Sequence, residues 1–306
     1  MLDSQTVRDE ALGSLDGRGF PASGNHLDTL RALVSVQDPV FDCLPLHFCG
    51  PRDSAEGAIV AEDTGSDRIL ALAISGKLLY AQLRWLDAVL DGPENPSHST
   101  VHQVNEALLD LIQDRMVQGA ADPASALRVL SKLYARYSAS AVLDATYSGT
   151  VNARFGFEDY VAQAQARAAP VRSPVDAILA ESGVSPQTRD NAAESFELFT
   201  VGLQFYDDAL DAEEDFRDRR PSWLVCAALA EPSNREFADA DPDKFYEKAL
   251  TGGFVSRSLR AAEQYFEASY SLAEPRFPSW AEFQRQYSTD AAALREQYDD
   301  LISSAT

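Results

Sequence analysis

From Asp67 to Asp91 the chain carries a run of apolar residues at helical spacing, with no Pro inside it. Gly92-Pro93 follows, the pair expected just past the end of a helix. The same period returns along most of the sequence. It predicts helices near 28–37, 67–91, 99–117, 123–148, 157–168, 174–182, 186–217, 222–230, 242–250, 254–273 and 279–302. Strand signals are weak, and the periodic stretches are too long for hairpins. A chain of this kind must close its core by packing helix on helix, so the fold class is all-α. Residues 1–26 mix Gly, Pro and charge and read as a loose leader. Residues 38–65 hold Pro39, Pro45, Gly50, Pro51 and Gly57 and read as irregular. Residues 27–306 read as a single domain of about ten helices, since no repeat, low-complexity tract or clear linker divides them.

Two acidic patterns sit on these helices. Asp207, Asp208, Asp211 and Asp215 stand at i, i+1, i+4 and i+8. Residues four apart share a helix face, so Asp207, Asp211 and Asp215 form a ridge with Asp208 beside it and Gln204 one turn earlier. Like charges at that spacing weaken a helix unless a cation lies among them. Hard carboxylate oxygens suit Mg²⁺, which takes one or two carboxylates and completes its shell from phosphates and water. Asp87 and Asp91 repeat the i, i+4 spacing at the end of the 67–91 run, 120 residues before Asp207 and Asp211. Each pair therefore needs its own helix. His98 and His102 are also four apart, but with only four His in the chain a di-iron bundle is disfavoured.

Charge narrows the function further. Lys and Arg total 26 against 48 Asp and Glu, a net charge of −22. Nucleic acids and anionic membranes need a basic footprint, so neither is expected as a partner. An anionic small substrate remains compatible, held by metal ions and a few basic side chains. Cys43, Cys49 and Cys226 include no CxxC pair and fit a reduced, cytoplasmic setting. The polar, acidic N-terminus does not read as a signal peptide, and no apolar run reads as a membrane span of roughly 18 residues.

The arrangement Gln204-x-x-Asp207-Asp208-x-x-Asp211-x-x-x-Asp215 resembles the second aspartate-rich motif of class I isoprenoid synthases. That superfamily includes the trans-prenyl diphosphate synthases and the terpene cyclases related to them. Asp87-Ala88-Val89-Leu90-Asp91 resembles their first motif, DDxxD, with Ala88 in place of its second Asp. Arg167 stands where these enzymes carry a basic residue between the motifs, and Asp218-Arg219-Arg220-Pro221-Ser222 resembles the stretch after the second. The resemblance covers about residues 67 to 225. It implies an all-α bundle or barrel around a central active-site cavity, three Mg²⁺ ions and a prenyl diphosphate substrate. It also implies a homodimer. Asp87, Asp91, Asp207, Asp208, Asp211 and Asp215 would hold metal. Arg167, Arg219 and Arg220 would contact phosphate oxygens, for which the guanidinium fork is suited. Asp87, Asp91, Asp207, Asp211 and Arg167 would carry the catalysis. Gln204 would lie at the substrate, and Phe199, Tyr206 and Tyr80 would line a dry pocket whose ring faces stabilise an allylic cation.

Three departures set the expected activity. Ala88 removes one acidic group. The Arg-Arg-Gly run that usually follows the first motif is absent, and the sequence reads GPENPSHSTVHQ. The upstream Gly-Gly-Lys and Arg segment that holds a second diphosphate has no good match, since Gly50-Pro51-Arg52 is a poor stand-in. An elongating enzyme binds two diphosphates and a cyclase one. The expectation is therefore a Mg²⁺-dependent terpene synthase, a lyase that ionises one prenyl diphosphate. Prenyl transfer with chain elongation is the alternative, and a non-catalytic acidic helical interaction protein is a further one.

Overall fold

The computed structural model describes residues 3–17, 25–38, 40–42, 44–49, 65–91, 97–147, 156–218, 220, 222–230, 242–274 and 276–305, without the side chains of 25, 90, 91, 144–147, 242, 304 and 305. No strand occurs among the described residues, and the all-α expectation holds. The helices are α1 (Ser4–Gly17), α2 (Asn25–Ser35), α3 (Leu44–His47), α4 (Ser66–Asp91), α5 (His98–Gly119), α6 (Pro123–Tyr147) and α7 (Phe157–Arg167). A 3₁₀ turn (Ala169–Arg172) leads into α8 (Ser173–Glu181), α9 (Pro186–Leu210) and α10 (Ala212–Arg217). The chain continues through α11 (Trp223–Ala230), α12 (Pro242–Thr251), α13 (Phe254–Ala273) and α14 (Pro278–Ala305). Packing groups the chain into two compact units, Met1–Tyr134 with Ala168–Arg189, and Ala135–Arg167 with Asp190–Thr306.

In the first unit α4 is the core helix. Residues 71 to 79 are all buried, so the helix is covered on every side. By length and apolarity Ser66–Val89 could cross a membrane, but most of it is buried inside the protein, as befits a core helix. The C-terminal end of α5 approaches α4 closely: a Cβ on Gly119 would lie 2.5 Å from Leu72 Cγ and 2.8 Å from the Arg68 carbonyl oxygen. Residues 4–17, expected as part of a loose leader, form α1 instead, while 18–24 lie outside the described residues. Val7, Ala11 and Leu15, at i, i+4 and i+8, are buried, and α1 packs on α4. The stripe is only one residue wide, too narrow to stand out against the Gly and charge around it.

α1 also brings Ser4 and Arg8 to a buried ion cluster. Asp42 Oδ2 accepts from Ser4 Oγ at 2.7 Å, from Arg8 Nη1 at 2.5 Å and from the Asp38 N–H at 3.1 Å. Lys77 Nζ, on α4, pairs with Asp42 Oδ1 at 2.6 Å and donates to the Val36 carbonyl at 2.8 Å. The side chains of Asp42 and Lys77 are both 0% exposed. Burial pushes the Asp42 carboxyl up, but hydrogen bonds from Lys77, Ser4 and Arg8 outweigh it and hold the carboxyl below its ordinary value.

In the second unit α9 supplies the central face, with Phe196, Phe199, Val201, Phe205 and Ala209 buried. Gly202 lets Phe266 of α13 press against it, since a Cβ there would meet the ring at 2.6 Å. Within this aromatic core sits a small polar layer. Ser195 and Ser269 each donate to the other's carbonyl, and Trp280 Nε1 and Gln284 Nε2 donate to Ser195 Oγ at 3.0 and 2.9 Å. A second apolar cluster joins the end of α9 to α10–α13 through Ala209, Phe216, Leu224, Phe245 and Leu259.

Candidate diphosphate-binding site

The expected helix over 186–217 is interrupted at Asp211, whose φ −98° and ψ 10° lie outside helical values and cap α10. Backbone bonds still run through the break, from the Asp211 N–H to the Asp207 carbonyl and from the Asp215 N–H to the Asp211 carbonyl, both at 2.8 Å. The sparsely allowed region that Asp211 occupies is one where many active-site residues sit. The interruption divides the acidic group. Asp207 and Asp211 are exposed, whereas Asp208 and Asp215 are buried at 2% and 9% exposure. The single ridge read from the sequence is thus two exposed and two buried carboxylates.

Asp208 is enclosed by protein donors. Its Oδ2 accepts the Trp223 N–H at the start of α11 at 3.0 Å, and its Oδ1 accepts Gln204 Nε2 at 3.3 Å. The buried Tyr160 hydroxyl, from α7, lies against the same carboxylate. Gln204 Oε1 in turn accepts from Arg167 Nη1 at 2.9 Å, in the last turn of α7. Around this network lie rings of four helices: Phe205 stacks on Phe157 and Tyr265 and meets Trp223 edge-on at 5.4 Å.

Burial raises the Asp208 carboxyl to about 6, against the neighbouring Tyr160 hydroxyl, the hydrogen bond of Gln204 and the charge of Arg167. Burial and the neighbouring Asp208 raise Asp215 to about 7, opposed by a hydrogen bond from Ser222. Both folded values exceed the ordinary 3.8, so the folded protein binds more protons than the unfolded chain between about pH 4 and 7. These two groups therefore favour folding fully below the ordinary value, and that contribution is lost as pH rises through 6 and 7. With metal chelated, Asp208→Asn should flatten this fall. Urea midpoints between pH 5 and 8 should fall less with rising pH in the variant than in the wild type, on top of an offset set by the one N–H acceptor that Asn lacks. Parallel midpoints would show that Asp208 does not titrate in this range.

The remaining expected residues lie as follows. Asp87 is exposed near the end of α4, in the first unit, and the side chain of Asp91 lies outside the described residues, as does Arg219. Arg220 pairs with Asp218 at 3.0 Å and Glu214 at 3.4 Å. Phe199 is 0% exposed among Phe266, Trp280, Phe283 and Tyr287, which makes it a core ring. Tyr206 packs on the α10–α13 cluster, and Tyr80 stacks on Phe41 at 4.3 Å. Tyr160 and Trp223 went unremarked in the sequence. Tyr160 had a signal, because it lies seven residues before Arg167 and so on the same face of α7.

Among the described residues no three His, Cys, Asp or Glu side chains form a ready metal site. The exposed carboxylates do suit Mg²⁺ in chemistry: Asp207 and Asp211 offer oxygen atoms one turn apart, and such an ion takes one or two carboxylates and the rest from phosphate and water.

No protein-family model matches the chain, and no curated protein matches it. Solved structures do. Heptaprenyl diphosphate synthase from Staphylococcus aureus is 11% identical with a TM-score of 0.73, covering 94% of this chain and 98% of its own. Geranylgeranyl pyrophosphate synthase from Lactobacillus brevis is 13% identical with a TM-score of 0.72, covering 94% and 95%. A polyprenyl synthase from Caulobacter crescentus, complexed with calcium and isoprenyl diphosphate, is 16% identical with a TM-score of 0.69, covering 94% and 97%. The fold is that of the prenyl diphosphate synthases. The prenyl diphosphate synthase fold belongs to the class I isoprenoid synthase-like superfamily, and the resemblance read from the two acidic motifs agrees with it. The expected terpene synthase activity is corrected: these neighbours are prenyl diphosphate synthases, and they favour the elongating alternative over a lyase. The cyclase reading leaned on a basic segment with no match in residues 38–65, of which 39, 43 and 50–64 lie outside the described residues.

Proposed function

We propose that the protein is a Mg²⁺-dependent prenyltransferase that extends an allylic prenyl diphosphate with isopentenyl diphosphate. The observation that carries this reading is the pairing of exposed Asp207 and Asp211 with the Arg167–Gln204–Asp208 network, on a chain matched over 94% of its length by prenyl diphosphate synthases. In the reaction the allylic C–O bond breaks, a C–C bond forms to isopentenyl diphosphate, one proton leaves the new chain and pyrophosphate departs. Bound Mg²⁺, for which three ions are proposed, would neutralise charge developing on the departing diphosphate. Asp207 and Asp211 would hold it in the second unit, and the motif resemblance supports Asp87 and Asp91 as further metal ligands. Arg167 would donate to the same phosphate oxygens, in place before charge develops on them. A cytoplasmic homodimer completes the proposal, and three cysteines with no CxxC pair fit a reduced setting.

The test is incubation with C5, C10 and C15 allylic diphosphates, with and without isopentenyl diphosphate, in Mg²⁺. Longer diphosphates should form only when isopentenyl diphosphate is present. Pyrophosphate release at the same rate in its absence, with no chain growth, would refute elongation.

A further inference from the structure

We infer that Asp208 is a positioning residue and not a metal ligand: with Gln204 it fixes the guanidinium of Arg167 for a substrate diphosphate. The inference rests on the prenyltransferase reading and adds a role to a carboxylate that the motif alone treats like its neighbours.

The argument begins with what each group can do. An arginine side chain only donates hydrogen bonds, and an ionised carboxylate only accepts them. A glutamine between them has one orientation that satisfies both, its oxygen to the arginine and its nitrogen to the aspartate. Gln204 takes that orientation, with Oε1 to Arg167 Nη1 at 2.9 Å and Nε2 to Asp208 Oδ1 at 3.3 Å. Asp208 thereby fixes which end of Gln204 faces Arg167. Asp208 is itself held by the Trp223 N–H on Oδ2, with Tyr160 beside it, and is 2% exposed. Both of its oxygens already face protein donors, in a buried setting where an added ion would have to enter from water. Asp207 and Asp211 are exposed and lie on the ion's side of this division. The chain of contacts joins α7, α9 and the start of α11, so it ties the arginine to the helix that carries the exposed carboxylates.

Outer-shell partners of metal ligands change affinity by roughly 10- to 100-fold when removed, and a group that holds an arginine for the same diphosphate is expected to act on that scale. Calorimetric titration with inorganic pyrophosphate in Mg²⁺ reads this without turnover. Gln204→Met keeps the length of the side chain and removes both hydrogen bonds, and it should weaken pyrophosphate binding by about tenfold or more. Arg167→Met should do so at least as strongly. The double variant should be no weaker than Arg167→Met alone, because the glutamine acts through the arginine. Asp208→Asn should weaken binding while leaving the Mg²⁺ concentration for half-maximal binding unchanged, whereas Asp207→Ala should raise it. Additive losses in the double variant would overturn the inference, as would a shift in Mg²⁺ requirement for Asp208→Asn equal to that for Asp207→Ala. A wild-type protein that binds no pyrophosphate would instead remove the prenyltransferase reading and this role with it. Gln204→Met, at a half-buried position, keeps the test valid if Asp208→Asn fails to fold.

Discussion

Asp211→Ala and Asp207→Ala should each lower turnover by about a thousandfold or more while the far-ultraviolet circular dichroism spectrum stays that of the wild type. Such a loss corresponds to roughly 4 kcal/mol of transition-state stabilisation, within the several kcal/mol that a metal ion supplies to a developing oxyanion. Both side chains are exposed, and surface substitutions of that kind usually move stability by no more than about 0.5 kcal/mol. Activity and folding should therefore separate cleanly. Raising Mg²⁺ should recover part of the activity of either variant if the remaining carboxylate still holds the ion. Full activity at ordinary Mg²⁺ in either variant would remove that residue from the metal site.

Lys77→Met should destabilise the protein by about 3–5 kcal/mol, the range for breaking a buried ion pair from one side. Lys77 and Asp42 both lie out of reach of water, so the lost partner cannot be replaced by solvent. Asp42 would keep Ser4 and Arg8, which places the effect toward the lower end of the range. Asp42→Asn, which leaves Lys77 without its counter-charge, should cost a similar amount. The double variant should cost less than the two singles added, because the second change removes a charge that the first had stranded. Urea denaturation of the three variants measures this. Additive losses would show that the two groups act independently.

Much of the helical plan was legible because its signals are local. Gly92-Pro93 marks the end of α4, which closes at Asp91, and Pro186 opens α9 where the period begins. α1 was missed because its buried stripe of Val7, Ala11 and Leu15 makes sense only once α4 is there to cover it. The site was legible in part. The spacing of Asp207 and Asp211 marked the exposed pair, but periodicity assumes an unbroken helix, and the change of backbone at Asp211 sends Asp215 inward. Asp208 and Asp207 are the same residue type one position apart, and only the arrival of α7 and α11 distinguishes their environments. The activity was misjudged for a different reason. The lyase reading rested on basic residues absent from the sequence, whereas the neighbours that favour elongation are recognised by a fold matched over 94% of the chain.

The serines, tryptophan and glutamine buried among the rings of α9, α13 and α14 act on the alignment of those helices. Aromatic surfaces tolerate sliding, since one ring face packs much like the next. The mutual bonds of Ser195 and Ser269, with Trp280 and Gln284 converging on the same hydroxyl, admit one vertical setting only. Shifting one helix by a turn would strand several polar atoms in an apolar interior, at about 1–3 kcal/mol apiece. This lock fixes the height of α9, and with it the height at which Asp207 and Gln204 are presented.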